Sequence, residues 1–226
     1  MTKRNHSRYL VAVMAALVAM TLHPVTTSAQ SRGIEITPTY SYMWAGSFET
    51  LSGTIYLQDG SQYGGIVDVP VNRTSAGTMM VELSYAYLSS TATYAPYVIG
   101  KPGSLDGLNM DVSVQYFQLG AIQELDKGKT KPFMGLAMGA VLFHPKQAAY
   151  NGLSTQDLWR FAVSATAGLK IAFSESVALR LQGRLFLPLY FTGGGIFVGT
   201  GGVSAGASAA IPIVQGDVGV GLAITI

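Results

Sequence analysis

Eight charged residues lie in stretches where polar and apolar positions alternate. Glu35, Asp68, Glu82 and Asp111 fall in the first half of the chain, and Arg160, Lys170, Arg180 and Arg184 in the second. A period of two is the strand period, which sends successive side chains to opposite faces. The eight then project from the faces opposite the apolar ones. Acids and bases gathered in an interior must pair, because an unpaired buried charge costs several kcal/mol. The chemistry expected of this set is an ion-pair and hydrogen-bond network. The alternative is a narrow path for ions or small solutes lined by the same groups.

Other reactive groups are few. Beyond residue 29 the only histidine is His144, with Ser154 and Asp157 following it. That spacing makes no nucleophile elbow, so the sequence points to a non-enzymatic protein. A hydrolase site built on His144 is a third reading. The glycine-rich stretch 193–202 has no following Lys-Ser or Lys-Thr, so it is no phosphate cradle. There is no calcium loop and no spaced histidine pair, and neither metal nor cofactor is expected. Asn72-Arg73-Thr74 fits a glycosylation pattern but falls in a predicted turn.

The elements that must position these groups read as eight strands, at residues 33–44, 62–71, 78–88, 109–121, 132–143, 158–173, 177–191 and 217–226. In the first, Ile34, Ile36, Tyr40, Tyr42 and Trp44 oppose Glu35, Thr37, Thr39 and Ser41. Pro38 breaks one ladder bond there or marks a bulge. In the fourth, Met110, Val112, Val114 and Tyr116 are assigned to the apolar outer face, and Asp111, Ser113 and Gln115 to the polar inner one. The fifth is apolar on both faces. Residues 185–216 carry no charge but hold eight glycines and two prolines, which argues against a spanning helix.

The N-terminus reads as a secretory signal. Lys3, Arg4 and Arg8 precede the uncharged run 10–22, and small residues at Thr27 and Ala29 suit cleavage after residue 29. Thirteen apolar residues fall short of the ~20 needed to span a bilayer. The expected organisation is signal peptide 1–29 and one domain, 30–226. Three of the 14 basic residues belong to the signal, leaving 11 against 12 acidic and a net charge of −1. Nucleic acid is therefore not an expected partner. With no cysteine, neither disulfides nor a lipid-modified cysteine is expected.

Charged residues make up 12% of the chain against 49% hydrophobic, about half the charge of a typical soluble domain. Apolar surface unbalanced by charge implies a face turned to lipid. Eight is an even strand number, and the predicted lengths suit tilted membrane strands. Connections alternate: short at 72–77, 122–131 and 174–176, long at 45–61, 89–108, 144–157 and 192–216. Aromatic residues gather near the ends: Tyr42, Trp44, Tyr85, Tyr87, Phe143, Trp159 and Phe191 toward the long loops, Phe133 and Phe173 toward the short turns. The expected fold is an all-β, eight-stranded antiparallel up-and-down transmembrane barrel. At that strand number side chains fill the lumen.

Some segments resemble the bacterial outer-membrane β-barrel families of the OmpA/OmpX/OmpW-like kind. Lys131-Pro-Phe-Met-Gly-Leu-Ala-Met-Gly-Ala140 is similar to one of their strands, and residues 160–170 and 177–184 are similar to the pair that follows. The likeness spans residues 33–226. It implies an integral outer-membrane barrel, exported through a Sec-type signal, in contact with membrane lipid and with the barrel-assembly machinery during insertion. It implies no single activity, and the ligand of the outer loops and the oligomeric state stay open. Members commonly end on an aromatic residue, where this chain has Ile226.

Overall fold

The computed structural model describes residues 33–50, 53–96, 108–126, 128–146, 149–150, 153–154, 156–199, 202–210 and 214–226. The predicted signal segment, residues 1–29, lies outside them.

Eight strands form the wall: β1 (Glu35–Trp44), β2 (Gly60–Thr74), β3 (Gly77–Pro96), β4 (Leu108–Leu125), β5 (Thr130–Pro145), β6 (Leu158–Ala172), β7 (Val177–Gly199) and β8 (Gln215–Thr225). Each pairs antiparallel with its sequence neighbours. β1 also pairs with β8, from Glu35 opposite Thr225 to Trp44 opposite Gly216, which closes the barrel and leaves the wall no free edge. Pro38 causes no register shift. The β1–β8 ladder lapses after Ile36 opposite Ile224 and resumes in the same register at Thr39 opposite Gly221. The bulge lies instead in β2, between Pro70 and Asn72.

All eight predicted strands are present, several of them longer than expected. β3 and β7 continue at their outer ends, in stretches read from sequence as loop. A hairpin of Ser47–Thr50 and Gly53–Leu57 adds to the extended part of β3, with Leu57 opposite Ala92. Gly202–Ala210 pairs with the extended part of β7. At the other end β2 turns into β3 within residues 75–76, where Thr74 faces Gly77.

The faces follow the alternation. Along β1 buried and exposed positions alternate without exception, the exposed ones being Ile36, Pro38, Tyr40, Tyr42 and Trp44. Leu83, Leu119, Leu136, Met138, Val218 and Leu222 are likewise exposed on the outer wall. Buried positions of the lower half are chiefly Glu, Asp, Lys, Arg, Gln, Ser and Thr, with Met80, Ile122 and Phe133 forming a small apolar cluster among them. This inverts a soluble sandwich and suits a wall bathed in hydrocarbon.

β4 corrects the sequence reading. Val112, Val114 and Tyr116 are buried inside, while Asp111 is exposed and Phe117 and Leu119 face out. The polar-in rule holds only at the depth of the bilayer. At its outer end β4 rises above that depth, and the ordinary rule returns: apolar residues pack inward and charge faces water. Met43, Leu88, Val112, Val114, Tyr116, Val141, Phe143 and Phe186 accordingly form an apolar core in the outer part of the lumen. Phe143 belongs to that core, and Phe133 is also buried within the barrel, so neither is an interfacial ring as expected.

Candidate functional site

Register places like charges side by side. Glu35, Asp68 and Glu82 are neighbours in one row across β1, β2 and β3. Lys131, Lys170 and Arg180 form a row across β5, β6 and β7. Like charges directly opposite one another on adjacent strands are destabilising. Relief comes from across the lumen, where the acid row meets Lys170 and Arg180, and from Glu124 on the strand next to Lys131.

The contacts are direct. Arg180, wholly buried, donates from Nη1 to Asp68 Oδ2 at 2.8 Å and from Nη2 to Glu82 Oε2 at 2.6 Å. Its Nε donates to Gln182 Oε1 at 2.7 Å. Lys170 Nζ lies 2.5 Å from Glu35 Oε1, 3.3 Å from Glu124 Oε2 and 3.4 Å from Asp68 Oδ2. Lys131 Nζ lies 3.3 Å from Glu124 Oε1. The Phe133 ring lies 4.5 Å from the Arg180 guanidinium carbon, a cation–π contact. Phe133 has room because residue 168, opposite it on β6, is glycine: a Cβ there would sit 2.5 Å from the ring.

A second cluster lies further up β7. Arg184 binds Asp217 through Nη2 at 2.5 Å and Nε at 3.2 Å, and donates to Gln62 Oε1 at 3.0 Å. Ser41 Oγ lies 3.1 Å from both Asp217 Oδ2 and Gln62 Oε1. Tyr116 donates its hydroxyl to Gln215 Oε1, and Gln215 Nε2 donates to the Ala45 carbonyl at 2.7 Å. The apolar core continues around this pair. At the short-turn end a vestibule of about 470 Å³ is lined by Glu35, Glu124, Lys129, Lys131, Lys170 and Glu175.

Of the eight charged residues singled out from sequence, Glu35, Asp68, Glu82, Lys170 and Arg180 meet in one cluster, and Arg184 stands in the other. Arg160 lies at the outer end of β6, its Nη1 donating to the Trp159 carbonyl at 2.8 Å. Asp111 is a correction: it accepts from Thr91 Oγ1 at 3.3 Å on the exposed outer end of β4, outside the lumen. Sequence reading missed Glu124, Lys131, Asp217 and Gln62. Asp217 carried a signal, since it alternates with Val218 and Val220. Glu124 and Lys131 fall in the expected turn 122–131, of which residues 122–125 and 130–131 belong to the two strands.

At the outer rim His144 Nδ1 lies 2.6 Å from Asp157 Oδ1, and Lys146 Nζ donates to Ser89 Oγ at 2.6 Å. Ser154 falls in a two-residue strand, Leu153–Ser154, paired with Ala149–Tyr150. Among the described residues no group of three or more His, Asp or Glu could hold a metal ion.

A closed eight-stranded wall, apolar outside and ion-paired within, defines the class: this is the fold of the small outer-membrane β-barrels. Solved structures agree. Neisserial surface protein A aligns at a TM-score of 0.51 and 11% identity, over 86% of this chain and 97% of that one. OprG from Pseudomonas aeruginosa aligns at 0.55 and 11%, again over 86% and 97%. No family model matches the sequence, and no curated protein does.

Proposed function

We propose that this chain is an integral outer-membrane protein with a sealed lumen, acting through its outer rim and loops as a structural or interaction element. Membrane lipid is its solvent, and the barrel-assembly machinery is its partner during insertion. The observation that carries the reading is Arg180, wholly buried and held between Asp68 and Glu82 across the lumen. The Arg184–Asp217 cluster and the apolar outer core support it from above. A pore would need a continuous wet path past all three.

The test combines two measurements on purified protein. Unheated and boiled samples should migrate differently on a gel, as a heat-resistant barrel does. Protein verified in this way should show no unitary conductance in planar bilayers. Steady conductance from the folded form would reject the sealed lumen. It would favour the second reading, a narrow ion path, which the vestibule reaching Lys170 and Glu35 supports. Loss of that conductance in Arg180→Ala would then place the path at this cluster.

A further inference from the structure

The sequence places Ser154 and Asp157 after His144 at no catalytic spacing; the register sets Asp157 on one flank of His144 and Ser113 on the other. On the outward face Ser89, Ser113 and His144 form one row across β3, β4 and β5. Asp157 immediately precedes β6, whose first residue, Leu158, faces Phe143; Asp157 thus continues the row beside His144 and binds its Nδ1 at 2.6 Å. The order along the wall is serine, histidine, carboxylate. The two nitrogens of an imidazole point to different sides of the ring. With Nδ1 held by Asp157 on one flank, Nε2 is left for the other flank, where Ser113 stands. Directly opposed residues have Cβ atoms about 4.5–5.5 Å apart, within reach of a histidine ring.

The surroundings fit the same chemistry. Gln115 lies two residues along β4, on the same face as Ser113. Its Oε1 accepts from Tyr85 OH at 3.1 Å, and that bond aims the amide nitrogen, Nε2, at Ser113 Oγ, 3.5 Å away. A donor held this close to the nucleophile is within a side-chain rotation of the oxygen that becomes negative on the attacked carbonyl. The row immediately below consists of Tyr87, Gln115, Leu142 and Trp159. Trp159 is 52% exposed on the wall, and such rings mark the bilayer interface. Ester groups of membrane lipids lie at that depth.

We propose that Ser113, His144 and Asp157 form an ester-hydrolysing site on the outer wall, acting on acyl esters of outer-leaflet lipid. The inference rests on reading the chain as an outer-membrane barrel. Ser113 Oγ attacks the ester carbonyl carbon while His144 Nε2 takes the hydroxyl proton. The tetrahedral oxyanion is met by Gln115 Nε2. Collapse breaks the ester C–O bond, and His144 returns the proton to the departing alkoxide, leaving an acyl-Ser113. Water then adds to the acyl carbon as His144 takes its proton. Collapse releases the carboxylic acid and restores the Ser113 hydroxyl. Asp157 is a positioning residue: it holds the imidazole and steadies its charged form. Ser113 is 3% exposed, so the ester gains access when the exposed Lys146 side chain, which crosses β4 to reach Ser89 Oγ at 2.6 Å, swings away and leaves His144 and Gln115 in place.

The full chain, refolded in detergent–phospholipid micelles and checked by its gel mobility shift, is treated with a fluorophosphonate probe. The labelled peptide is mapped by mass spectrometry. Hydrolysis is followed with a medium-chain p-nitrophenyl ester in the same micelles. One label per folded chain on Ser113 is expected, with none in Ser113→Ala and none on boiled protein. His144→Gln should slow labelling and hydrolysis by roughly 10³-fold or more, and Gln115→Ala should slow hydrolysis by about 10²-fold. Folded protein that takes no label at Ser113, or hydrolysis undiminished in Ser113→Ala, overturns the site and leaves the barrel reading intact. Labelling unaffected by His144→Gln reduces the His144–Asp157 pair to a structural clasp and also overturns it. Absence of the mobility shift counts against the barrel and this site together.

Discussion

Replacing Arg180 with methionine tests whether the lumen is dry. Methionine keeps much of the length and the packing over Phe133 but removes the charge. Glu82 loses its 2.6 Å partner, and Asp68 keeps only Lys170, at 3.4 Å. The cluster then holds four carboxylates, Glu35, Asp68, Glu82 and Glu124, against two cations, Lys131 and Lys170. Removing one member of a buried pair costs about 3–5 kcal/mol, because the other is left uncompensated. In a water-filled lumen the same change costs about 0–1 kcal/mol, as for an exposed pair. Urea unfolding in phospholipid vesicles separates the two. Trp44 and Trp159 both face outward and report the loss of the lipid environment. With a slope of about 2 kcal/mol per molar urea, the dry-lumen cost lowers the midpoint by about 1.5–2.5 M. Adding Asp68→Asn and Glu82→Gln to Arg180→Met should recover most of that loss, since neutral partners need no cation. A loss below about 1 kcal/mol for the single variant, or no recovery in the triple variant, refutes a dry, ion-paired plug.

Three further outcomes follow from position on the wall. Asp111→Ala should change stability by no more than about 0.5 kcal/mol in the same titration, because Asp111 is exposed at the outer end of β4. Leu136→Arg puts a charge on the lipid-facing wall, where Leu136 is 58% exposed, and should cost about 2–4 kcal/mol if it lies near the midplane; a cost equal to that of Asp111→Ala would mean the wall does not face hydrocarbon. Gly168→Val introduces a Cβ that would lie 2.2 Å from the Leu181 carbonyl oxygen and 2.5 Å from the Phe133 ring, and overpacking of this kind costs about 1–3 kcal/mol. Pairing it with Phe133→Ala should recover part of that loss, and strict additivity of the two would show that the ring is not what the new methyls strike.

The strands were legible because their faces differ in chemistry. In β1 every exposed residue is apolar or proline and every buried one except Met43 is polar, so period two carries both the element and its orientation. Strand ends were less legible. β4 was read to stop at residue 121, yet it pairs with β5 as far as Glu124 opposite Phe133. Those added residues carry Glu124, the carboxylate shared by Lys131 and Lys170. Which acid meets which base was not legible at all. That follows from the stagger between strands, which sets Glu35 beside Asp68 and Lys170 beside Arg180, and no local pattern in the sequence encodes it.

The β4 error shows why one polarity rule cannot run the length of such a strand. Gln118 and Glu124 point inward among polar groups, and Val112, Val114 and Tyr116, of the same parity, point inward among apolar ones. Parity is constant along the strand, while the chemistry of the inner face changes with height. At bilayer depth the solvent outside is hydrocarbon, so polar groups are driven inward and must pair there. Above it the solvent is water, and the hydrophobic effect again drives apolar groups inward. The crossover on β4 falls between Tyr116 and Gln118, at the height where the outward face carries Phe117 and the next strand carries Tyr85 opposite it. A crossover in inner-face chemistry is thus a depth gauge written into the sequence. On that gauge, Ser113 and the outward ring row of Tyr87 and Trp159 both lie on the outer side of the crossover, the ring row two residues nearer to it along β4 than Ser113.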